Sequence, residues 1–270
     1  MFRLVALLFL CSAESLCVPE GLGGGTRAIG LAGAFVAIGG SEWCTTSNPA
    51  GLSSLDGWQA AAFLCPGQFG MKELRTTSIA MAIPFGTSGF GVVGRQFGFD
   101  LYRETSVSVG VGKTFVGGVS VGGTLNATRI SIERYGSVAT SSANCGALID
   151  VADGVHLGFE WENVAAARIG STGEALPQTQ SFGFCFELSR TSRLCLESEK
   201  DIRFPFELKL GYEQEFLDVV TARFGLANNP QKMAVGIDVR VSQITFSYAG
   251  YTHPQLGWSH QIELSCTLSR

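Results

Sequence analysis

The chain has 270 residues, with 35 glycines, 16% charged residues and a formal net charge of −4 at pH 7. A weakly acidic chain without a basic stripe lacks the electrostatic footprint of a nucleic-acid-binding protein. Apolar residues make up 46% of the sequence, but they form no run of the roughly 20 residues that a transmembrane helix needs. These properties exclude nucleic acid as a partner and a helical membrane protein as the class.

Residues 1–17 are predicted to form a signal peptide. Arg3 supplies the positive end, and residues 4–10 form an apolar core that is too short to span a bilayer. A lipoprotein acylated at Cys11 or Cys17 is the alternative, although neither cysteine follows a good lipobox. The prediction is export across a bacterial inner membrane, with cleavage after Ala13, Ser15 or Cys17.

The segment 18–57 is predicted to be a plug. It is rich in small apolar residues, as in GTRAIGLAGAFVA at 25–37, and it ends in the turn-forming sequence NPAGL at 48–52. Such a compact segment, ahead of a long array of strands, has little to pack on except the inside of that array. Six residues define the plug motif: Arg27, Gly30, Gly33, Asn48, Pro49 and Ala50.

The same segment resembles the N-terminus of the FadL-type and PorV/PorQ-type outer-membrane barrel proteins. A second stretch, YTHPQLGWSHQIELS at 251–265, is similar to the last hairpin of the PorV/PorQ group. One departure is the sequence Gly-Gly-Ser-Glu at 39–42, where members of the group often carry paired acidic residues. The matching N-terminal residues are Gly25, Arg27, Gly30, Gly33, Ala34, Asn48, Pro49, Ala50, Gly51 and Leu52.

Residues 58–270 are predicted to form an antiparallel barrel of about fourteen strands. Apolar and polar residues alternate with the period of a strand, most clearly at 202–212, 220–226, 233–241 and 258–268. The alternation changes phase at 58–66 and 90–99, which indicates bulges or a face that touches the plug. The longest irregular stretch, at about 165–178, is predicted to face outside or to cap the mouth.

A soluble β-sandwich would alternate in the same way, but three features favour an all-β transmembrane barrel with a plug. The polar faces are rich in Gly, Ser and Thr, as a packed lumen requires. The chain carries the export signal. Many apolar faces end in aromatic residues, as interfacial girdles do: Trp58, Trp161, Tyr212, Tyr248, Tyr251 and Trp258.

The charged residues on the polar faces are predicted to point into the lumen. Charges removed from bulk water must be paired or hydrated. They form either a network that holds the plug, with Arg27 bonded to a wall carboxylate or to turn carbonyls, or a polar path or gate. The set is Asp150, Glu160, Glu162, Glu187, Arg203, Glu207, Lys209, Arg223, Asp238 and Arg240.

Apparent nucleotide motifs do not predict nucleotide binding. The sequence GVGKT at 110–114 lacks the glycine that a P-loop needs at Val107, and it continues a strand. The glycines at 23–28 match a dinucleotide motif, but a signal peptide precedes them instead of a strand.

The sequence predicts neither an enzyme nor a metal or cofactor site. No nucleophile elbow accompanies the three scattered histidines, and His260 fits an interfacial position in the last strand. The six cysteines after the signal show no zinc spacing. Cys185 and Cys195 lie on consecutive predicted strands, and whether they pair is left open.

The resemblance implies two functions at the bacterial outer membrane, where lipid surrounds the barrel. FadL-type proteins pass long-chain fatty acids or other hydrophobic molecules, using an apolar pocket, a movable N-terminal segment and a lateral opening. PorV/PorQ-type proteins act in a secretion system through contacts with other proteins. We expect a hydrophobic ligand for the first function and secretion-system proteins as partners for the alternative.

Overall fold

The computed structural model describes residues 25–169 and 174–269, which form one closed antiparallel barrel around a short N-terminal plug. The predicted fold class is confirmed, with fourteen strands in the barrel. The predicted signal at 1–17 and the predicted start of the plug at 18 lie outside the described residues.

The barrel follows the chain as a simple meander, and its first strand pairs with its last to close it. A separate two-stranded hairpin interrupts the meander between its seventh and eighth strands. The first eight strands are β1 Gly57–Cys65, β2 Thr76–Phe85, β3 Ser88–Gly98, β4 Tyr102–Thr114, β5 Val119–Ile132, β6 Gly136–Ala152, β7 Val155–Trp161 and β8 Arg168–Ile169. The others are β9 Glu174–Ala175, β10 Thr179–Ser189, β11 Ser192–Asp201, β12 Glu207–Phe216, β13 Val220–Asn228, β14 Gln231–Val241, β15 Ile244–His253 and β16 Gly257–Ser269.

The two ends of the barrel differ. One end, which we call the turn end, has tight connections such as 86–87 and 190–191 and carries the start of β1 and the end of β16. The opposite end, which we call the loop end, carries the two longest connections, at 66–75 and 162–178. The irregular stretch predicted at 165–178 therefore lies at the loop end, where it contains the β8–β9 hairpin.

Side chains alternate between an apolar outside and a filled lumen. On β2, Ile79 and Met81 are 67% and 60% exposed, whereas Ala80 between them is 1% exposed. Large apolar side chains are exposed in the same way on the strands around the barrel. Only a hydrocarbon surrounding stabilises so much exposed apolar surface on a closed sheet, so this is the outer band of a membrane-spanning barrel. No helix within the described ranges is long and apolar enough to cross a membrane.

Two details of the predicted strands were wrong. Residues 202–206 form a turn, because the Asp201 carboxylate accepts the Arg203 backbone N–H at 2.8 Å and Pro205 has no N–H to donate. Tyr251 does not belong to an interfacial girdle: it is 1% exposed and faces the lumen. It lies three residues after the outward-facing Tyr248, and an odd spacing on a strand puts side chains on opposite faces.

The predicted irregularities at 58–66 and 90–99 are not bulges. Strands β1 and β3 pair continuously with both neighbours. Their phase is irregular because the lumen face carries apolar residues that contact the plug, such as Phe63 and Val93, which are both 3% exposed.

The plug is built from short helical turns with local caps. It begins with the helix α1, Gly25–Gly30, and continues into two 3-10 helices, Glu42–Thr45 and Pro49–Ser54. The Ser41 hydroxyl and the Asn48 side-chain oxygen accept backbone N–H groups at the starts of the 3-10 helices, each at 3.2 Å. Such caps replace the hydrogen bonds that a short helix cannot make for itself.

Candidate functional site

Arg27 of the plug is locked to the barrel wall by a chain of ion pairs. Its Nε and Nη2 atoms donate to the two carboxylate oxygens of Glu213 on β12, at 2.9 and 2.7 Å. Glu213 also accepts Arg223 Nε at 2.7 Å, and Arg223 donates through both terminal nitrogens to Asp238 at 2.7 and 2.6 Å. We call these four residues the latch. Bidentate pairs of this kind fix geometry as well as charge.

A second wall carboxylate holds the middle of the plug. Glu197 Oε2 on β11 accepts the backbone N–H groups of Phe35 and Val36, both at 2.8 Å. Its other oxygen pairs with Lys209 Nζ at 3.1 Å, and Lys209 also pairs with Glu199. The carboxylate therefore satisfies two plug donors while its own charge is balanced by the lysine.

Two further contacts anchor the ends of the plug. Glu263 on β16 accepts the Thr26 N–H at 2.9 Å, at the start of α1. The Asn48 amide donates to Val36 O at 2.7 Å within the plug and to Ala147 O at 3.0 Å on β6. Asn48 is fully buried, so its hydrogen bonds join plug and wall in a place that water does not reach.

Lumen-facing glycines let the plug backbone lie directly against the wall, and we call them the glycine belt. A Cβ added at Gly122 would lie 2.3 Å from Pro49 C, and one at Gly158 would lie 2.2 Å from Val36 O. Any side chain at these positions would overlap the plug backbone. The same close approach of the plug backbone occurs at Gly89, Gly112 and Gly225, and at Gly146 the Asn48 side chain takes its place. The belt explains why the predicted lumen faces are so rich in glycine.

The predicted plug residues occupy distinct places in this packing. Pro49 and Ala50 contact the glycine belt, and Gly30 approaches the backbone of Gly236. Gly33 has a φ of +88°, which glycine adopts without strain, and it packs on the Lys209 side chain.

The five predicted lumen charges on β12, β13 and β14 all lie in the inward register, but they have different partners. Arg223 and Asp238 belong to the latch, and Lys209 belongs to the Glu197 anchor. Glu207 lies beside Glu199 in the ladder. Arg240 lies at the turn end, 3.6 Å from Glu215, with a side chain that is 55% exposed.

Other predicted charges lie away from the plug anchors. Asp150 and Glu187 flank His156 near the turn end, and Asp150 Oδ1 lies 2.7 Å from His156 Nδ1. Arg203 pairs with Asp201 in the turn after β11 and does not lie on a strand.

Three carboxylates that carry the plug were absent from the predicted set: Glu197, Glu213 and Glu263. Alternation of polar and apolar residues puts Glu213 and Glu263 on inward faces, and this pattern could have identified them as lumen charges. Glu197 lies in the strand SRLCLESEKD, whose charge obscures its alternation.

Burial disfavours the charged forms of both Arg27 and Glu42, and their hydrogen-bond partners decide which of them stays charged. For Arg27, the facing Glu213 carboxylate outweighs this cost, so the pKa of Arg27 lies above its ordinary value. Burial raises the pKa of the Glu42 carboxyl, and the hydrogen bond from Ser41 at 3.3 Å offsets only part of the effect. Glu42 therefore binds a proton more readily in the plug than in water, whereas Arg27 stays charged.

A packed cluster of buried aromatic side chains, which we call the aromatic chamber, lies between the plug and the loop end. Trp43 of the plug packs edge-on against Phe63 of β1, with ring centroids 6.1 Å apart. Further toward the loop end, Tyr251 packs edge-on against Phe69 at 5.8 Å. Phe69 lies in the β1–β2 connection, and its backbone N–H donates to Ser259 Oγ at 2.8 Å. The connection thereby folds inward and places Phe69 over the chamber.

The cysteine and histidine candidates form no metal site in the described part of the chain. Cys185 and Cys195 face each other in the β10–β11 ladder as buried free thiols. His260 faces outward, and its Nδ1 lies 2.7 Å from Tyr248 Oη. Among the described residues, no group of His, Cys, Asp and Glu is arranged to hold a metal ion.

The sequence matches no protein-family model and no curated protein. Solved structures share its fold. The CymD monoaromatic hydrocarbon channel has a TM-score of 0.70 at 12% identity, over 92% of this chain and 98% of that chain. The toluene transporter TodX of P. putida has a TM-score of 0.70 at 10% identity, over 94% and 100%. A Pseudomonas aeruginosa FadL homologue has a TM-score of 0.63 at 11% identity, over 91% and 98%. At such low identity, the likeness shows a common barrel fold.

Proposed function

We propose that this protein is an outer-membrane channel for hydrophobic small molecules and that the plug is its gate. Barrels of the outer membrane have short periplasmic turns and longer external loops. By that rule the turn end faces the periplasm and the loop end faces outside. Cargo would enter at Phe69, cross the aromatic chamber and leave past the latch.

The aromatic chamber is the observation that carries this proposal. A porin lumen for hydrophilic solutes is polar and filled with water. Here Phe63 and Tyr251 are 3% and 1% exposed, and they form one apolar cluster with Trp43 of the plug and with Phe69 at the mouth. A path of aromatic and alkyl surface favours apolar cargo, because burying such surface is favourable only for apolar groups. The likeness to a hydrocarbon channel and a toluene transporter supports the same cargo class.

The proposed route runs past the plug and not through the wall. The FadL resemblance implied a lateral opening, but every barrel strand is hydrogen-bonded to both of its neighbours, and β3, for example, pairs with β2 and β4 without a break. The plug meets the turn end at a cavity of about 290 Å³ that is lined by Arg27, Glu213 and Arg240. Opening the latch would connect the chamber to this cavity.

Charge in the lumen favours uncharged cargo over fatty-acid anions. Glu160, Glu199 and Glu207 lie in one row across the wall, one step nearer the loop end than Glu197 and Lys209. Lys209 is already paired with Glu197 and Glu199. Glu197, Glu199 and Glu207 outnumber the single lysine that faces them, and this excess of negative charge repels an incoming carboxylate and leaves a neutral hydrocarbon unaffected. We therefore propose hydrocarbons rather than long-chain fatty acids as the preferred cargo.

Uptake by cells tests both parts of this proposal. Cells that express the protein, and vector controls, receive radiolabelled toluene, oleate or a hydrophilic sugar, and initial rates are compared. Toluene uptake should rise above the vector control, with little change for the sugar. The Glu199→Gln/Glu207→Gln variant should raise oleate uptake and leave toluene uptake unchanged. Equal toluene uptake with and without the protein would refute the channel.

The secretion alternative has weaker support. No solved structure reported above is a secretion component, and nothing in the comparisons supports a PorV/PorQ assignment. Crosslinking in membranes tests it: recovery of a defined secretion-system protein, together with unchanged toluene uptake, would replace the channel proposal.

A further inference from the structure

A polar, basic cleft lies on the outside of the barrel, at the loop-end edge of the apolar band. The outward side chains of β2 run from Phe85 through Ile83, Met81 and Ile79 to Thr77. Thr77 pairs in the ladder with Gln96 on β3, which in turn pairs with the outward-facing Thr105 on β4. The apolar band therefore ends at one level on three adjacent strands.

The cleft above this level has an excess of positive charge. It has a volume of about 470 Å³ and is lined by Lys72 and Arg75 of the β1–β2 connection and by Arg103 at the start of β4. Asp100 is the one carboxylate in its lining, and it pairs with Arg103 at 3.3 Å. Lys72 and Arg75 have no ion-pair or side-chain hydrogen-bond partner among the described residues. Glu73 lies between them in sequence and is exposed, but it does not line the cleft.

Position and charge together indicate the occupant. Two unpaired cations beside a threonine and a glutamine form an anion site, and a lipid phosphate is the anion found at the edge of an apolar band. The exposed side chains of Phe99 and Leu101, 38% and 54%, lie at the same rim, where acyl chains begin.

We infer that this cleft binds the phosphorylated headgroup of an outer-leaflet lipid, whose acyl chains lie against the outward faces of β2, β3 and β4. The inference rests on the membrane orientation given above and is independent of the cargo. A lipid held there would also fix the β1–β2 connection, which carries Phe69 over the mouth. The cleft thus joins the lipid surface to the cap of the chamber.

Native mass spectrometry of the detergent-purified full protein tests the inference. The probes are bisphosphorylated lipid A and the same lipid after enzymatic dephosphorylation, so that only the phosphates differ. We expect one lipid A molecule per protein and little retention of the dephosphorylated form. The Lys72→Gln/Arg75→Gln variant should bind lipid A about 30-fold more weakly, because each cation near a lipid surface contributes a factor of about five.

The matched control removes the same charge from the opposite end of the barrel. The Lys113→Gln/Arg190→Gln variant should bind lipid A like the wild type. Gel mobility before and after boiling reports whether each variant is folded. If the test variant does not fold, salt titration of the wild-type complex replaces it, and lipid release as salt rises is expected.

Each of the following results would overturn the inference: equal lipid A binding by wild type and test variant, equal loss in the control variant, equal retention of the dephosphorylated lipid, or a wild-type complex that is insensitive to salt. Competition with inorganic phosphate distinguishes the source of the anion. Displacement of lipid A by millimolar phosphate would show a site for the free anion and would also refute a lipid site. Unchanged toluene uptake in the test variant would leave the channel proposal untouched.

Discussion

Replacing Arg27 by alanine should release the plug. The substitution removes two charge-assisted hydrogen bonds to Glu213, at 2.9 and 2.7 Å. Such bonds contribute about 1.5–3 kcal/mol each, and breaking a buried pair costs about 3–5 kcal/mol. Glu213 keeps Arg223 as a partner, which prevents a fully unpaired charge and lowers the cost to about 2–4 kcal/mol. The population of plug-released molecules should rise roughly 30-fold to 700-fold.

Cys44 reports this release without an introduced cysteine. Its thiol lies inside the plug and is 0% exposed, so it reacts with a maleimide only when the plug opens. The experiment needs a background in which the other cysteines are replaced by serine or alanine. In the Arg27→Ala variant the labelling rate of Cys44 should rise by the factor given above.

Arg240→Ala is the matched control, because it removes an arginine from an exposed pair at the turn end. Exposed pairs contribute about 0–1 kcal/mol, so the labelling rate should change by less than about fivefold. An unchanged labelling rate in Arg27→Ala would refute the latch. A rise of the same size in both variants would show that loss of positive charge, and not loss of the latch, controls access.

Three further predictions concern the plug and its anchors. Gly122→Ala should displace the plug and lower the free energy of unfolding by about 1–3 kcal/mol through overpacking. Gly123→Ala, on the outer face, should be nearly neutral. Equal melting temperatures for the two variants would refute the role of the glycine belt. Glu197→Gln should weaken the two hydrogen bonds to plug N–H groups by about 1 kcal/mol each. The labelling rate of Cys44 should therefore rise. An unchanged rate would show that Glu197 does not anchor the plug. Burial raises the pKa of Glu42 above 4.5, so the folded state binds the extra proton and stability falls as pH rises between the ordinary and the raised pKa. Glu42→Gln should remove the share of that slope that Glu42 contributes, and an unaltered slope of melting temperature against pH would contradict it.

Alternation predicted the strands and the faces of the clearest ones, and the export signal, the polar lumen faces and the aromatic ends were needed to predict a barrel. In β13 the inward Arg223 and the outward Phe224 follow directly from period two, because a lipid-facing strand cannot present a charge to hydrocarbon. The same rule gives the correct side for Tyr251 once its odd spacing from Tyr248 is counted. Local pattern therefore fixes on which face a side chain lies.

Pairings across the lumen could not be predicted in this way. Whether Arg27 meets Glu213 or another inward carboxylate depends on strand tilt and register, which no local pattern records. The glycine belt was visible only as composition, because the need for glycine at Gly122 and Gly158 comes from plug residues distant in sequence. Residues 202–206 alternate like a strand, and a single local hydrogen bond from Arg203 to Asp201 makes them a turn.

Flux into proteoliposomes tests the gated channel most directly. Wild-type protein and the Arg27→Ala variant are reconstituted at equal density into vesicles that enclose a toluene-oxidising enzyme. The rate at which toluene enters the vesicles is compared with the rate of vesicle swelling caused by entry of a hydrophilic sugar. The account predicts that Arg27→Ala raises the protein-dependent toluene flux by a larger factor than the sugar flux. Equal toluene flux with wild type, variant and protein-free vesicles, or a variant that admits only the sugar, would contradict it.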